Sequence, residues 1–172
     1  MSLAKNKLDW CLRKTEQEIQ KGTVHRGLVK IPPNTELARD HLRKAEHNLR
    51  ATLYLQEGGF TDWCSSGFFY TIYHCFLAIL KKFGYESRNQ ECTFAVIANL
   101  IEQKKIPFSL DLLEKVSTLS KSQPVLSSTV LNMREEYQYG TKMTLEEKEY
   151  EELLSTTMIV LDITKEVIEH DS

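Results

Sequence analysis

The chain has few residues that break regular structure and lacks the marks of a membrane or exported protein. Its 172 residues include 7 glycines and 4 prolines, which lie between segments of helical periodicity. No stretch reaches the roughly 18 consecutive apolar residues of a membrane-spanning helix, and the first ten residues lack the apolar core of a signal peptide. We therefore expect one cytoplasmic domain with no membrane contact.

Signatures of several enzyme classes are also missing. The sequence has no G-x-x-x-x-G-K phosphate loop, no G-x-S-x-G nucleophile turn and no H-E-x-x-H metal motif. Among the histidines, His41 and His47 would point to opposite sides of a helix, so we expect no metal site. No cofactor is expected either.

Charge and cysteine usage are those of an ordinary intracellular domain. The formal net charge of −2 does not indicate a protein that coats nucleic acid. The four cysteines form no C-x-x-C pair. We expect them to be reduced thiols packed as small core residues, because disulfides are rare without export.

The segment from Gly67 to Leu80, GFFYTIYHCFLAIL, is apolar in almost every helical direction. A helix of this kind must be enclosed by other helices, and fourteen residues are too few to span a bilayer. We expect the central helix of a bundle, with apolar surface left for a partner subunit. Within it, the His74 imidazole must either be hydrogen-bonded in the core or open onto a cleft.

Apolar stripes of helical period predict seven helices and an all-α, up-and-down bundle. Residues 22–33 are predicted to form a linker, and no alternating pattern predicts a strand. Thr144 and Glu147 are predicted to form the capping box of the last helix. The predicted helices run from Leu3 to Lys21, from Asn34 or Thr35 to the Gly58-Gly59 turn, from Phe60 to Phe83, from Glu91 to Gln103, from Ser109 through Leu119, from Pro124 through Tyr137, and from Thr144 to about Ile168.

Arg134 lies at the edge of an apolar stripe in the sixth predicted helix, between Leu131 and Tyr137. A guanidinium in this position either pairs with a nearby carboxylate, such as that of Glu135 or Glu136, or is held for an anion. The residues alone leave both interpretations open.

Two segments are the basis of a family resemblance. The relevant residues of the third predicted helix are Phe69, Tyr70, Tyr73, His74, Cys75, Ala78, Ile79 and Leu80. Those of the sixth are Arg134, Glu135, Glu136, Tyr137, Gln138, Tyr139 and Gly140. The first set resembles the A-Y-Y-A-x-F-H-A-x-x-A-L-L motif of the HEPN family, and the second resembles its R-x-x-x-D-Y-G motif. The resemblance covers about residues 28–168, so we expect a single domain, 1–172, with a HEPN-like core at 34–170 after an N-terminal helix and linker at 1–33.

The resemblance implies a bundle like the helical substrate-binding domain of some nucleotidyltransferases. It also implies homodimers in which the arginine motifs of two subunits lie near a shared cleft. Many members are metal-independent ribonucleases with an R-x4-6-H motif, often toxins paired with a nucleotidyltransferase antitoxin. Here Tyr139, Gly140 and Thr141 stand where that histidine would be, and a tyrosine of ordinary pKa cannot replace it as a base.

The leading hypothesis is therefore a dimeric, non-catalytic or weakly catalytic module that binds nucleotide or RNA phosphate through Arg134. Tyr70, Tyr137 and Tyr139 are expected to supply stacking surface or hydroxyl hydrogen bonds, with His74 lining the same cleft. One alternative is an endoribonuclease toxin that recruits His74 in place of the motif histidine. Another is a helical partner of a separate nucleotidyltransferase.

Overall fold

The structure, a computed structural model, describes residues 2–117 and 129–170. Within these ranges the chain forms seven helices and one two-stranded sheet, which confirms the all-α prediction. The predicted helix start at Pro124 and the predicted stripe residue Leu119 lie outside the described residues. The elements are α1 (Leu3–Gln20), β1 (Leu28–Lys30), α2 (Thr35–Glu57), α3 (Thr61–Lys82), β2 (Tyr85–Ser87), α4 (Gln90–Glu102), α5 (Leu110–Val116), α6 (Val130–Tyr139) and α7 (Glu147–Glu169).

Helix α3 is the centre of the bundle and packs against α2, α4, α6 and α7. Its Phe68, Phe69 and Phe76 side chains are fully buried. By length and composition alone α3 could also cross a membrane, yet 61% of its most apolar window is buried among the other helices, as in a core helix.

Helices α2 and α3 form a hairpin that packs closely. Gly59 adopts a φ of +80° in the turn between them, a conformation that favours glycine. Farther along α3, a Cβ on Gly67 would lie 2.1 Å from Thr52 Oγ1 of α2. The absence of a side chain at Gly67 therefore lets the two helices approach each other.

The linker prediction for residues 22–33 is wrong in part, because this segment contains β1. The strand pairs antiparallel with β2, in the register Leu28 to Ser87, Val29 to Glu86 and Lys30 to Tyr85. Strands of three residues are too short to show a recognisable alternation. Their pairing depends on how α1 and α3 place two distant segments.

The last helix begins later than predicted. Helix α7 has Glu146 as its N-cap and Glu149 at the third position, and these two residues form the capping box. The predicted box of Thr144 and Glu147 is therefore wrong. Leu145 explains the shift, since its side chain is buried and its backbone N–H donates to Thr61 Oγ1 at 2.9 Å, which keeps the preceding chain non-helical.

Two of the four cysteines are not reduced thiols. Cys11 of α1 and Cys92 of α4 form a disulfide with a Cα–Cα distance of 5.9 Å across a sequence separation of 81. The docking of α1 on α4 brings them together, which the spacing in the sequence could not indicate. Cys64 and Cys75 are buried free thiols, and burial raises their pKa values to about 11 and about 12.

Candidate functional site

The centre of the candidate site is Arg134, whose guanidinium lies against α3. The residue is only 7% exposed, and its Cζ lies 4.7 Å from the Phe69 ring centroid and 5.9 Å from that of Tyr70. Its Nη1 donates to the Tyr70 hydroxyl at 3.5 Å, and its Nη2 is 3.9 Å from Glu135 Oε1. The buried Nε has no hydrogen-bond partner. The Phe69 and Tyr70 rings thus contact the guanidinium, while most of its N–H donors lack a hydrogen-bond acceptor among the described residues.

Both ends of α6 are fixed by local chemistry. At its start, the Thr129 hydroxyl accepts a hydrogen bond from the Asn132 backbone N–H at 3.1 Å, as an N-cap residue does. At its end, a Cβ on Gly140 would lie 2.4 Å from the Glu136 carbonyl oxygen, so the chain needs glycine there. These caps set where Arg134 meets α3.

The two tyrosines of the arginine motif have different surroundings. Tyr137 is buried, and its hydroxyl donates to Glu149 Oε2 at 2.8 Å, which joins α6 to the capping box of α7. Burial, followed by the Glu149 hydrogen bond, raises the pKa of Tyr137. Tyr139, in contrast, is 74% exposed. Of the two, Tyr139 therefore offers the free aromatic surface.

His74 makes its hydrogen bond to another histidine. Its Nδ1 is 3.1 Å from Nδ1 of His41 on α2. Burial, followed by the charge of His74, lowers the pKa of His41 to about 4. Burial, followed by Lys44, lowers that of His74. Two neutral rings can share this bond, one donating and the other accepting. No hydrogen bond or ion pair joins the described side chains of His74 and Arg134.

Sequence reasoning missed the pairing of His41 with His74 because it compared only histidines on the same helix. The relevant signal was the α2–α3 hairpin. His41 precedes the Gly58-Gly59 turn by about as many residues as His74 follows it. In an antiparallel pair of helices, positions equidistant from the turn lie side by side.

A cavity of about 230 Å³ lies next to the motif, between the start of α3 and the α6–α7 connection. Its exposed aromatic residue is Trp63, and its cation is Lys142, which pairs with Glu136 at 2.5 Å. Sequence reasoning missed both residues, since neither lies within a motif. The cavity is lined by Asp62, Trp63, Ser66, Tyr137, Gln138, Gly140, Thr141, Lys142 and Met143.

No group of three or more histidine, cysteine or acidic residues suited to a metal ion occurs in residues 2–117 and 129–170. The described residues offer a buried guanidinium, exposed aromatic rings and a hydrogen-bonded histidine pair. Such groups recognise anions and flat rings.

The helical bundle agrees with what a comparison of the sequence with family models finds. The HEPN domain model matches residues 38–167. The chain therefore belongs to the HEPN family. The match begins within α2, so α1 and β1 precede it. A search of curated proteins found no significant match.

Proposed function

We propose that this protein is a dimeric HEPN module that binds a phosphate group of a nucleotide or an RNA through Arg134, with little or no ribonuclease activity. The observation that carries the proposal is the buried guanidinium whose Nε has no partner. A buried N–H donor without an acceptor is costly, and a phosphate supplies acceptor oxygens that match the guanidinium fork. Membership of the HEPN family is compatible with a nucleotide- or RNA-related function.

The surroundings of Arg134 suit the rest of a nucleotide. Tyr70 is 40% exposed, so its ring and hydroxyl are accessible beside the guanidinium. The exposed Tyr139 ring offers stacking surface within the same motif. Lys142 provides a second positive charge in the adjacent cavity. Tyr137 acts as a structural residue in this proposal, because Glu149 occupies its hydroxyl.

The proposal of weak or absent cleavage depends on the absence of a histidine at the motif position that follows Arg134 in the sequence. Tyr139 stands at the motif position of the missing histidine, and its side chain is exposed. His74 shares its Nδ1 with His41, which leaves only Nε2 for a proton transfer. The ribonuclease alternative therefore requires His74 Nε2 to reach an RNA bound at Arg134.

Substitution of Arg134 tests the proposal. We expect Arg134→Ala to weaken the binding of a fluorescent 12-nucleotide RNA by about ten-fold or more, because charge-assisted hydrogen bonds are lost. Arg50→Ala is the matched control, since it removes an exposed arginine from α2. Equal RNA affinity of the wild type and Arg134→Ala, with a lower melting temperature for the variant, would show that Arg134 is only structural.

Cleavage assays on the same proteins distinguish binding from catalysis. Without metal, we expect the wild type to leave the RNA intact or to cleave it only slowly. Rapid metal-free cleavage that His74→Ala abolishes would support the ribonuclease alternative instead.

The second subunit is proposed to cover the exposed aromatic face of α3. Phe60 and Trp63, at the N-terminal end of α3, are 57% and 61% exposed, which is unusual for large apolar side chains beside a core helix. A stable dimer would bury more than about 1,000 Å² in total. Sedimentation should therefore give twice the 20.0 kDa chain mass at micromolar concentration, and Trp63→Asp should shift the protein toward monomer. A wild-type monomer would contradict this part, and in that case the face is available to a nucleotidyltransferase-like partner.

A further inference from the structure

Helix α1 precedes the HEPN match and is firmly attached to the bundle. It packs on α4 and β1, and the Cys11–Cys92 disulfide joins it covalently to α4. On the β1 side, the Thr15 hydroxyl accepts a hydrogen bond from the Leu28 backbone N–H at 2.9 Å. The opposite side of α1 is therefore presented to solvent by a rigidly held helix. The buried stripe consists of Ala4, Leu8, Cys11 and Thr15.

The outer side of α1 is basic and carries an exposed tryptophan. Trp10 is 44% exposed, and the Nζ atoms of Lys7 and Lys14 lie 4.5 and 5.0 Å from its ring centroid. At about 100° per residue, Arg13 and Lys21 lie within about 60° of Trp10 around the helix. We name this surface the α1 basic face, and it consists of Lys7, Trp10, Arg13, Lys14 and Lys21.

The side of α1 around Trp10 carries an excess of positive charge. The three carboxylates of the helix all lie about 80° or more from Trp10 around the helix axis, whereas four cations lie within about 60° of it. This local excess occurs in a chain whose net charge is −2. It favours a polyanionic partner over an uncharged one. The three carboxylates are those of Asp9, Glu16 and Glu18.

We propose that the α1 basic face binds single-stranded RNA, with one base stacked on Trp10 and the flanking phosphates paired with Lys7 and Lys14. An exposed aromatic ring among cations is the recurring arrangement for binding single strands. The ammonium groups over the ring make only weak contacts in water, so a base can replace one of them and the freed ammonium can reach a phosphate. Lys7 also pairs with Glu91 at 3.0 Å, and such surface pairs exchange easily. The choice of RNA rests on the proposed function, but the surface does not include Arg134.

Trp10 fluorescence provides a direct readout. The chain has two tryptophans, so Trp63→Phe leaves Trp10 as the sole emitter. In a Trp63→Phe/Arg134→Ala protein, we expect a 12-nucleotide oligouridine to quench this emission at low salt. The affinity should fall as salt rises, because phosphate contacts release counterions.

Substitutions on the face give the second measurement. With Arg134 intact, Trp10→Ala should weaken oligouridine binding on the order of ten-fold through the loss of one stacked base. A Lys7→Ala/Lys14→Ala protein should bind oligouridine several-fold more weakly, and its affinity should depend less steeply on salt. Lys5→Ala is the matched control, because it removes the same charge from another side of α1 and should bind like the wild type. All these side chains are at least partly exposed, so melting temperatures should be unchanged.

The outcomes separate this inference from the proposed function. Unchanged RNA affinity in Trp10→Ala, with loss in Arg134→Ala, would overturn the inference and leave the proposed function in place. Weaker RNA binding by Trp10→Ala, with unchanged RNA affinity of Arg134→Ala, would support the inference and reject Arg134 as an RNA site. Binding of α1 to phosphatidylserine vesicles without quenching by oligouridine, or tighter binding of oligodeoxythymidine than of oligouridine, would also overturn it.

Discussion

Aromatic rings compensate for part of the water that the Arg134 guanidinium loses in its buried position. Phe69 and Tyr70 face the guanidinium from α3, and the Tyr70 hydroxyl accepts its closest hydrogen bond within the protein. The carboxylate of Glu135 lies at 3.9 Å and is itself more than half exposed, so it neutralises the cation only weakly. An anionic ligand would complete this environment.

The two phenylalanines of α3 allow stability and binding to be separated. Phe69→Ala and Phe76→Ala each remove a fully buried ring, and each should cost about 3–5 kcal/mol of unfolding free energy. Only Phe69 also supports the guanidinium, so only Phe69→Ala should weaken RNA binding as well. Urea titrations and RNA binding at a temperature where all proteins are folded provide the comparison. Equal RNA affinity of the two variants would show that the Phe69 ring does not support Arg134 in RNA binding.

The histidine pair should make stability depend on pH. The pKa values of His41 and His74 are lowered in the folded protein, so the unfolded chain binds more protons below about pH 6.5. Stability should therefore fall as the pH drops from about 6.5 toward 4, because the two rings must take up protons that burial disfavours. The neighbouring charges act in both directions, since Lys44 and Lys81 lower these pKa values while Asp40 and Glu86 raise that of His41.

Denaturation at several pH values checks this expectation. His41→Gln keeps a hydrogen-bonding side chain beside His74 but removes one titrating ring, so it should flatten the pH dependence. An equally steep loss of stability in the wild type and His41→Gln would assign the effect to the carboxylates instead.

At the scale of elements, the junction of α6 and α7 shows how a motif residue can serve the fold. Tyr137 donates to Glu149, and Glu149 also closes the capping box with Glu146. One carboxylate thereby orients the start of α7 and the end of the arginine motif. Tyr139 does not take part in this hydrogen-bond network, and its side chain is exposed.

Tyr137→Phe should reveal this difference. The variant keeps the buried ring but loses a hydrogen bond to a charged group, which should cost about 1.5–3 kcal/mol of unfolding free energy. RNA affinity should change little, because the hydroxyl faces α7 rather than the ligand. Thermal melts and anisotropy titrations give both values. Reduced RNA affinity with an unchanged melting temperature would place Tyr137 in the binding site.

Strong local patterns made the helices predictable, while contacts between distant segments did not show in the sequence. The continuous apolar run around Phe69 and Phe76 identified α3 as the central helix. Arg134 stood out because a charge interrupts an apolar stripe. The β1–β2 pairing and the Cys11–Cys92 bond depend on the docking of distant elements, and Trp63 became notable only through its position beside the motif.

At the scale of the whole molecule, the Cys11–Cys92 disulfide couples the N-terminal helix to the domain. It closes a loop with a sequence separation of 81, for which chain entropy predicts about 4–5 kcal/mol of stabilisation. A Cys11→Ser/Cys92→Ser protein should therefore melt at a lower temperature. Reductant should lower the melting temperature of the wild type but not that of the variant.

Thiol counting tests the bond independently. The denatured, unreduced wild type should react at Cys64 and Cys75 only, and at all four cysteines after reduction. Four reactive thiols before reduction would mean that α1 is held by packing alone. In a cytoplasm, which the sequence analysis expects, the state of this bond would depend on the redox poise of the cell.

The Nε–H group of Arg134 reports most directly on the central proposal, because it is a buried donor without a partner among the described residues. Its ¹H–¹⁵N NMR signal can be assigned by its absence from the spectrum of Arg134→Lys, which keeps the positive charge. On titration with a short RNA, this signal should shift progressively and saturate together with binding, because the N–H gains a phosphate acceptor. An unchanged Arg134 Nε–H signal at saturating RNA would show that Arg134 does not bind the phosphate.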